Sequence, residues 1–271
     1  MNAEKLEHQA TTLRNQGQGL AAVEKYQQAK AAYLAVGGKA RAAGMQHMIG
    51  VSYKIENNLK QAMPAYRQAI TEYQEAGDTL GPGRVERDIG VMLEYHDRLH
   101  EAKEHLLKSR HLLSVAPESA TTANGEKRDA ELGITLAKLG LIALRQAELD
   151  EAEAHILEGL ALIRKAGHPF YEMTALMHLA AVYFATKHYG RMLANLEASL
   201  GLIYEYKMQA AQTRRLAQIW GLMAHGYMHS GNPDTARYFA QKAFAIIDTL
   251  SDSAKGPIEK DIDALSLRKR L

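Results

Sequence analysis

The sequence predicts an all-α fold: a right-handed superhelical solenoid of six helix-turn-helix repeats with a C-terminal capping helix. Three observations lead there. Six small residues each precede, by twelve positions, an Ala or once a Met: Ala10/Ala22, Gly50/Ala62, Gly90/Ala102, Gly140/Ala152, Ala180/Met192 and Ala224/Ala236. The leading members are separated by 40, 40, 50, 40 and 44 residues, and a fixed inner spacing within a nearly fixed period marks stacked repeats. Composition agrees, because only 6 Pro and 4 Phe stand among abundant Ala, Leu and Glu, which favours helix over sheet.

The repeats are expected at residues 3–38, 43–78, 83–116, 127–168, 171–208 and 212–251. In the first, Ala10 and Ala22 flank a Gly17-Gln18 turn, Tyr26 fills the second helix, and Gly37 ends it. In the second, Ile49, Gly50 and Tyr53 form one helical stripe, while Ala62, Tyr66, Ala69 and Tyr73 form another. Asn57-Asn58 break the pattern between them, and Gly77 supplies a left-handed cap. Gly50 and Ala62 are small because the two helices must approach closely where they cross. Pro64 is expected to shift the start of its helix or to bend it.

The third repeat starts near Gly81-Pro82-Gly83, turns at Asp97-Arg98, places Leu106 in its second helix and ends by Pro117. The longer step that follows holds the polar, small-residue run 115–125, expected to be a mobile surface loop. Repeat four turns at Ala147-Glu148, a weak turn pair, then continues through Ile156 to Gly167. Its Glu148, Asp150, Glu151 and Glu153 open a second helix, where acidic residues favour the helix dipole. Repeat five turns at Lys187-His188, with Leu196 in its second helix and Lys207 at its exit. Repeat six turns at Gly231-Asn232, carries Ala240 in place of a large residue and exits at Ser251. Residues 257–269, with Pro257 at a first helical position and Ile258, Ile262 and Leu265 on one stripe, are expected to seal the array. Twelve repeat helices and one cap follow, in a single domain over residues 1–271.

The pattern resembles the tetratricopeptide repeat family. In the last unit Trp220, Met223-Ala224, Tyr227, Gly231-Asn232 and Ala236 fall on the family's aromatic, Leu-Gly, Tyr, turn and Ala positions. Units two and three supply Ile49-Gly50, Tyr53 and Ala62, then Ile89-Gly90, Leu93 and Ala102, and the resemblance covers roughly residues 3–250. The period exceeds the family's usual value of about 34 residues. Long units are similar to those of kinesin light chains, cell-polarity adaptors and bacterial receptors for short signalling peptides. The resemblance implies a scaffold that binds rather than catalyses. Some members grip a C-terminal carboxylate with Lys and Asn; no matching Asn pair stands here, so that clamp is not carried over.

A ligand is expected on the concave wall formed by the first helices. Outward positions counted from each small residue select His47, Lys54, Arg84, Arg87, Asp88, Glu94, Lys138, Met177, His178, Phe184, His225, Met228 and His229 as a peptide-binding groove. Lys54, Arg84, Arg87 and Lys138 suit an acidic group or peptide carboxylate, whereas Met177, Phe184 and Met228 suit apolar side chains. The competing explanation is that a charge run on a helix is a solvated face.

Catalysis is not expected. Cys is absent, which excludes disulfides, thiolate metal sites and thiol nucleophiles. His225 and His229 have the spacing of two metal ligands on one helix but lack a neighbouring Glu and a third partner, so no metal and no cofactor is expected. His96, His100, His105 and His111 span a turn and are expected on the surface. A net charge of +2 provides no global field for nucleic acid or membrane. Residues 1–8 lack the apolar core of a signal peptide, and 175–185 is too short to span a bilayer, so a cytoplasmic location is expected. The expected function is a non-enzymatic adaptor holding a peptide or protein segment. Two alternatives stand beside it: a peptide-sensing regulatory receptor, and a structural module that self-assembles.

Overall fold

Most helices in this chain end where the backbone adopts a left-handed turn, and those turns recur with the repeat. The computed structural model describes residues 2–122, 125–209, 212–250 and Ile258. The helices of residues 1–142 are α1 (Ala3–Asn15), α2 (Gly19–Ala35), α3 (Lys39–Ile55), α4 (Leu59–Glu75), α5 (Gly81–Tyr95), α6 (Leu99–Val115) and most of α7 (Arg128–Arg145). Residues 143–271 form a second compact unit with α8 (Leu149–Ala166), α9 (Pro169–Ala185), α10 (Tyr189–Glu205), α11 (Thr213–His229) and α12 (Pro233–Ile247). The fold is an all-α helical-repeat solenoid, and the described residues contain no strand.

All six turn pairs adopt one geometry. Gly17, Asn57, Asp97, Ala147, Lys187 and Gly231 have φ between 56° and 77°. In each case the next residue's N–H donates to the carbonyl five positions back, as in Gln18 to Leu13 and Asn232 to Tyr227, both at 2.9 Å. The following helix then starts one residue later. Even Ala147, an unfavourable residue for this conformation, takes it at φ 60°. The exits Gly37, Gly77, Gly167 and Lys207 repeat the left-handed cap. Ser251 lies outside the described residues.

Every member of the six small pairs is buried. A methyl placed on Gly50 would lie 2.5 Å from the Tyr66 ring, and one on Gly90 would lie 2.8 Å from Leu106. The large residues Tyr26, Tyr66, Leu106, Ile156 and Leu196 are fully buried beside these crossings, and Ala240 is buried in the last helix. In residues 143–271 the neighbouring hairpins share a repeated bond: Tyr183 donates to Glu153 at 2.7 Å and Tyr227 to Glu197 at 3.0 Å.

Two expectations change. Pro64 lies inside an unbroken α4 that starts five residues earlier at Leu59, so it does not set the helix start. The segment after α6 is no bare surface loop. Ala116 and Thr122 are buried, Thr121 bridges Lys127, and the N–H groups of Thr122 and Arg128 bond to Glu126 and Ala120. Ala116 joins Leu80 and Leu113 in a small core, with Ala120 and Leu132 against it. Of the expected cap, only Ile258 is described: it is helical and packs with Ala217, Ala224, Ala240, Ala243 and Ile247. The rest of 257–269 lies outside the described residues.

Candidate functional site

The first helices of residues 1–142 carry a line of buried charge. Lysine- and arginine-rich runs on a helix usually stay solvated, because an unpaired buried charge is costly. Here they are paired. His47 of α3 bonds through Nε2 to Asp88 of α5 at 2.9 Å. Arg87 of α5 reaches Glu131 of α7 and lies 3.8 Å from Asp88, while Arg84 approaches the other oxygen of Glu131 at 3.0 Å. His47, Arg87 and Glu131 are buried. Burial pushes the His47 imidazole down despite the opposing pull of Asp88. Burial would raise the Asp88 carboxyl, but the bond to His47 and the charges of Lys54 and Arg87 outweigh it and hold Asp88 well below its ordinary range. Glu131 is likewise held down, because Arg87 and Arg84 overcome its burial. The charged run on α5 is therefore mainly an interhelical tie, neither a solvated face nor an open row of cations.

Beside this tie lies a cavity of about 320 Å³, lined from α1 by Glu7, Thr11 and Arg14, from α3 by Arg41, Met45 and Met48, and by Tyr73, Asp78 and Arg84. Arg84 links the cavity to the charge chain. A second cavity of about 460 Å³ opens between α2, α3 and α4, edged by Gln27, Lys30, Gln46, Gln61 and Gln68. Its lysine is already engaged, with Gln46 at 2.7 Å and Glu72 at 2.5 Å.

In residues 143–271 one of the expected apolar positions, Phe184, lies among aromatic rings. Phe184 of α9 is exposed and its ring lies 5.9 Å from His225 and 6.4 Å from His229 of α11. Tyr189, the first residue of α10, stacks on His229 at 4.7 Å with the planes 4° apart. His225 is buried, whereas Met177, His178 and Met228 are half-buried. Lys54, Glu94 and Lys138 are half-buried in residues 1–142. The described residues hold no group of three or more His, Asp or Glu arranged to bind a metal. His105, expected on the surface, is half-buried and bonds to Glu86 at 2.5 Å.

Glu131 and Arg41 were not selected by sequence. Each stands nine residues before its small residue, one turn upstream of the positions counted as outward. Tyr189 was missed because it opens a second helix. Extending each first helix by one turn would have revealed the first two.

No family model matches the sequence, and no curated protein matches it. The structure is similar to BtubC from P. vanneervenii, with a TM-score of 0.68 at 14% identity over 91% of this chain and 93% of that one. It is similar to a signal-transduction ATPase with a tetratricopeptide repeat sensor from Pyrococcus horikoshii, with a TM-score of 0.68 at 15% identity over 98% of this chain and 39% of that one. The APC/C hetero-tetramer Cut9–Hcn1 gives a TM-score of 0.60 at 19% identity over 96% and 46%. At these identities the likeness establishes the fold, which is that of the tetratricopeptide repeat.

Proposed function

We propose that the chain is a non-enzymatic interaction module that holds a peptide or protein segment against its first helices. The observation behind this reading is the character of those helices. In residues 1–142, α1, α3 and α5 bring guanidinium groups and methionines to one cavity, and in 143–271, α9 exposes Phe184 against His225 and His229 of α11. A few apolar anchors with polar groups to orient them suffice for a segment bound at about micromolar affinity. The similar solved structures lend support, since one contains a repeat sensor and one is a hetero-tetrameric assembly. Arg87 and Asp88 act in this reading by fixing α5 against its neighbours, while Lys54, Arg84, Glu94 and Lys138 edge the face within residues 1–142, and His178 and His229 edge the face within 143–271.

Peptide display against the purified chain tests it. Val51, half-buried on α3 one residue after Gly50, reports on the face within residues 1–142 and Phe184 on that within 143–271: selected peptides should bind Val51→Asp or Phe184→Ala at least tenfold more weakly, and Gln68→Glu as tightly as the unaltered chain. Peptides that ignore the first two changes and are lost with the third would move binding to the α2–α4 cavity and contradict the reading.

A further inference from the structure

The cavity between α1 and α3 holds more positive charge than its own carboxylates consume. Three guanidinium groups line it, Arg14, Arg41 and Arg84, against two acids, Glu7 and Asp78. Both acids are committed. Asp78 accepts the N–H groups of Leu80 and Gly81 at 2.9 and 2.7 Å, which caps the start of α5. Glu7 accepts the Tyr33 hydroxyl at 2.5 Å and pairs with Arg41 at 3.5 Å. Arg84 is shared with Glu131. Arg14 is different. Its guanidinium donates to the Asn15 side-chain oxygen at 3.0 Å and to the Met48 sulfur at 3.1 Å, and among the described residues no carboxylate pairs with it. A thioether is a weak acceptor, so this donor is poorly used by the protein itself.

We infer that this cavity is a site for a compact oxyanion, a carboxylate or phosphate monoester, which takes the Arg14 guanidinium from Met48 and is flanked by Arg41 and Arg84. Arginine forks fit both groups, and the partly enclosed setting strengthens such bonds. Met45 and Met48 supply apolar wall for the carbon stem that bears the anion. That the anion arrives as a side chain of a bound segment rests on the function proposed above; the anion site itself does not.

The test uses the full chain carrying ¹³C-methyl methionine, with the Met45 and Met48 signals assigned through Met→Leu variants. Inorganic phosphate and acetate are titrated separately at constant ionic strength against sodium chloride. The expected result is a saturable shift at Met48 and Met45, with the Met223 methyl unmoved, and at least tenfold weaker binding in Arg14→Gln. Tighter phosphate than acetate assigns a phosphorylated side chain, and the reverse order assigns an acidic one. A response absent with both anions, equal with chloride, or unchanged in Arg14→Gln overturns the site. Because Arg14 is a half-buried surface residue, Arg14→Lys serves as a second variant: it keeps the charge but not the fork, and should bind with intermediate strength. Selected peptides that still bind when the phosphate response is absent would remove the oxyanion site alone. A phosphate response without peptide binding would leave the site and remove the segment.

Discussion

At Gly50 the space for a side chain is already taken by Tyr66, whose ring would lie 2.5 Å from an added methyl. Gly50→Ala should destabilise residues 1–142 by about 2 kcal/mol through overpacking, read as a lower urea midpoint. Ala147 presents the opposite case, a side chain in a left-handed turn at φ 60°. Ala147→Gly should stabilise the fold by about 0.5 kcal/mol, read as a higher urea midpoint, because relief of the turn exceeds the added freedom of the unfolded chain. The small residues and turn pairs were legible in the sequence because steric demands of this kind leave few residue types acceptable. His47 was not. Its place in the frame suggested an outward side chain, yet it is buried and bonded to Asp88. Burial holds its pKa below the ordinary 6.5, so the unfolded chain takes up a proton more readily and stability falls as pH drops below that value. Asp88 is held below its ordinary 3.8, so its contribution is present above that pH and is lost as pH falls further. The urea midpoint should therefore drop between about pH 7 and about pH 5, and His47→Gln should flatten that first decline.

Between helices, α5 and α7 are joined by Arg87 and Glu131, both buried. Glu131→Gln removes the buried carboxylate that Arg87 and Arg84 share and should cost about 3 kcal/mol in equilibrium unfolding. The double change Arg87→Met with Glu131→Leu should cost much less than the sum of the single changes, since a matched apolar pair avoids desolvating charge. Equal and additive losses would mean that the pair is not coupled. Helix boundaries could be read from the turns, but this tie could not. A charged residue one turn before the counted frame looks like any solvated residue until the facing helix is known. The same holds for the segment 116–122, whose polar composition suggests mobility while Ala116 and Thr122 bury themselves through contacts distant in sequence. Composition reports average exposure, and tertiary pairing overrides it locally.

For the whole chain, the repeat period led to an all-α hairpin array because each unit must bury its stripe against a neighbour, and that demand imprints a period on the sequence. A ligand leaves no such imprint. The candidate positions were found by counting from the small residues, and His47, Arg84, Arg87 and Asp88 among them are engaged in pairs between helices. What favours the first helices as the proposed binding face is chemical: a poorly paired Arg14, methionine walls and an exposed Phe184. The measurement that tests this most directly is photo-crosslinking of a display-selected peptide to benzoyl-phenylalanine placed singly at Val51, Phe184, Gln68 and Glu158, with the adducts mapped by mass spectrometry. The account predicts adducts from Val51 and Phe184 on the first helices. Adducts confined to Gln68 and Glu158 on the second helices would contradict it.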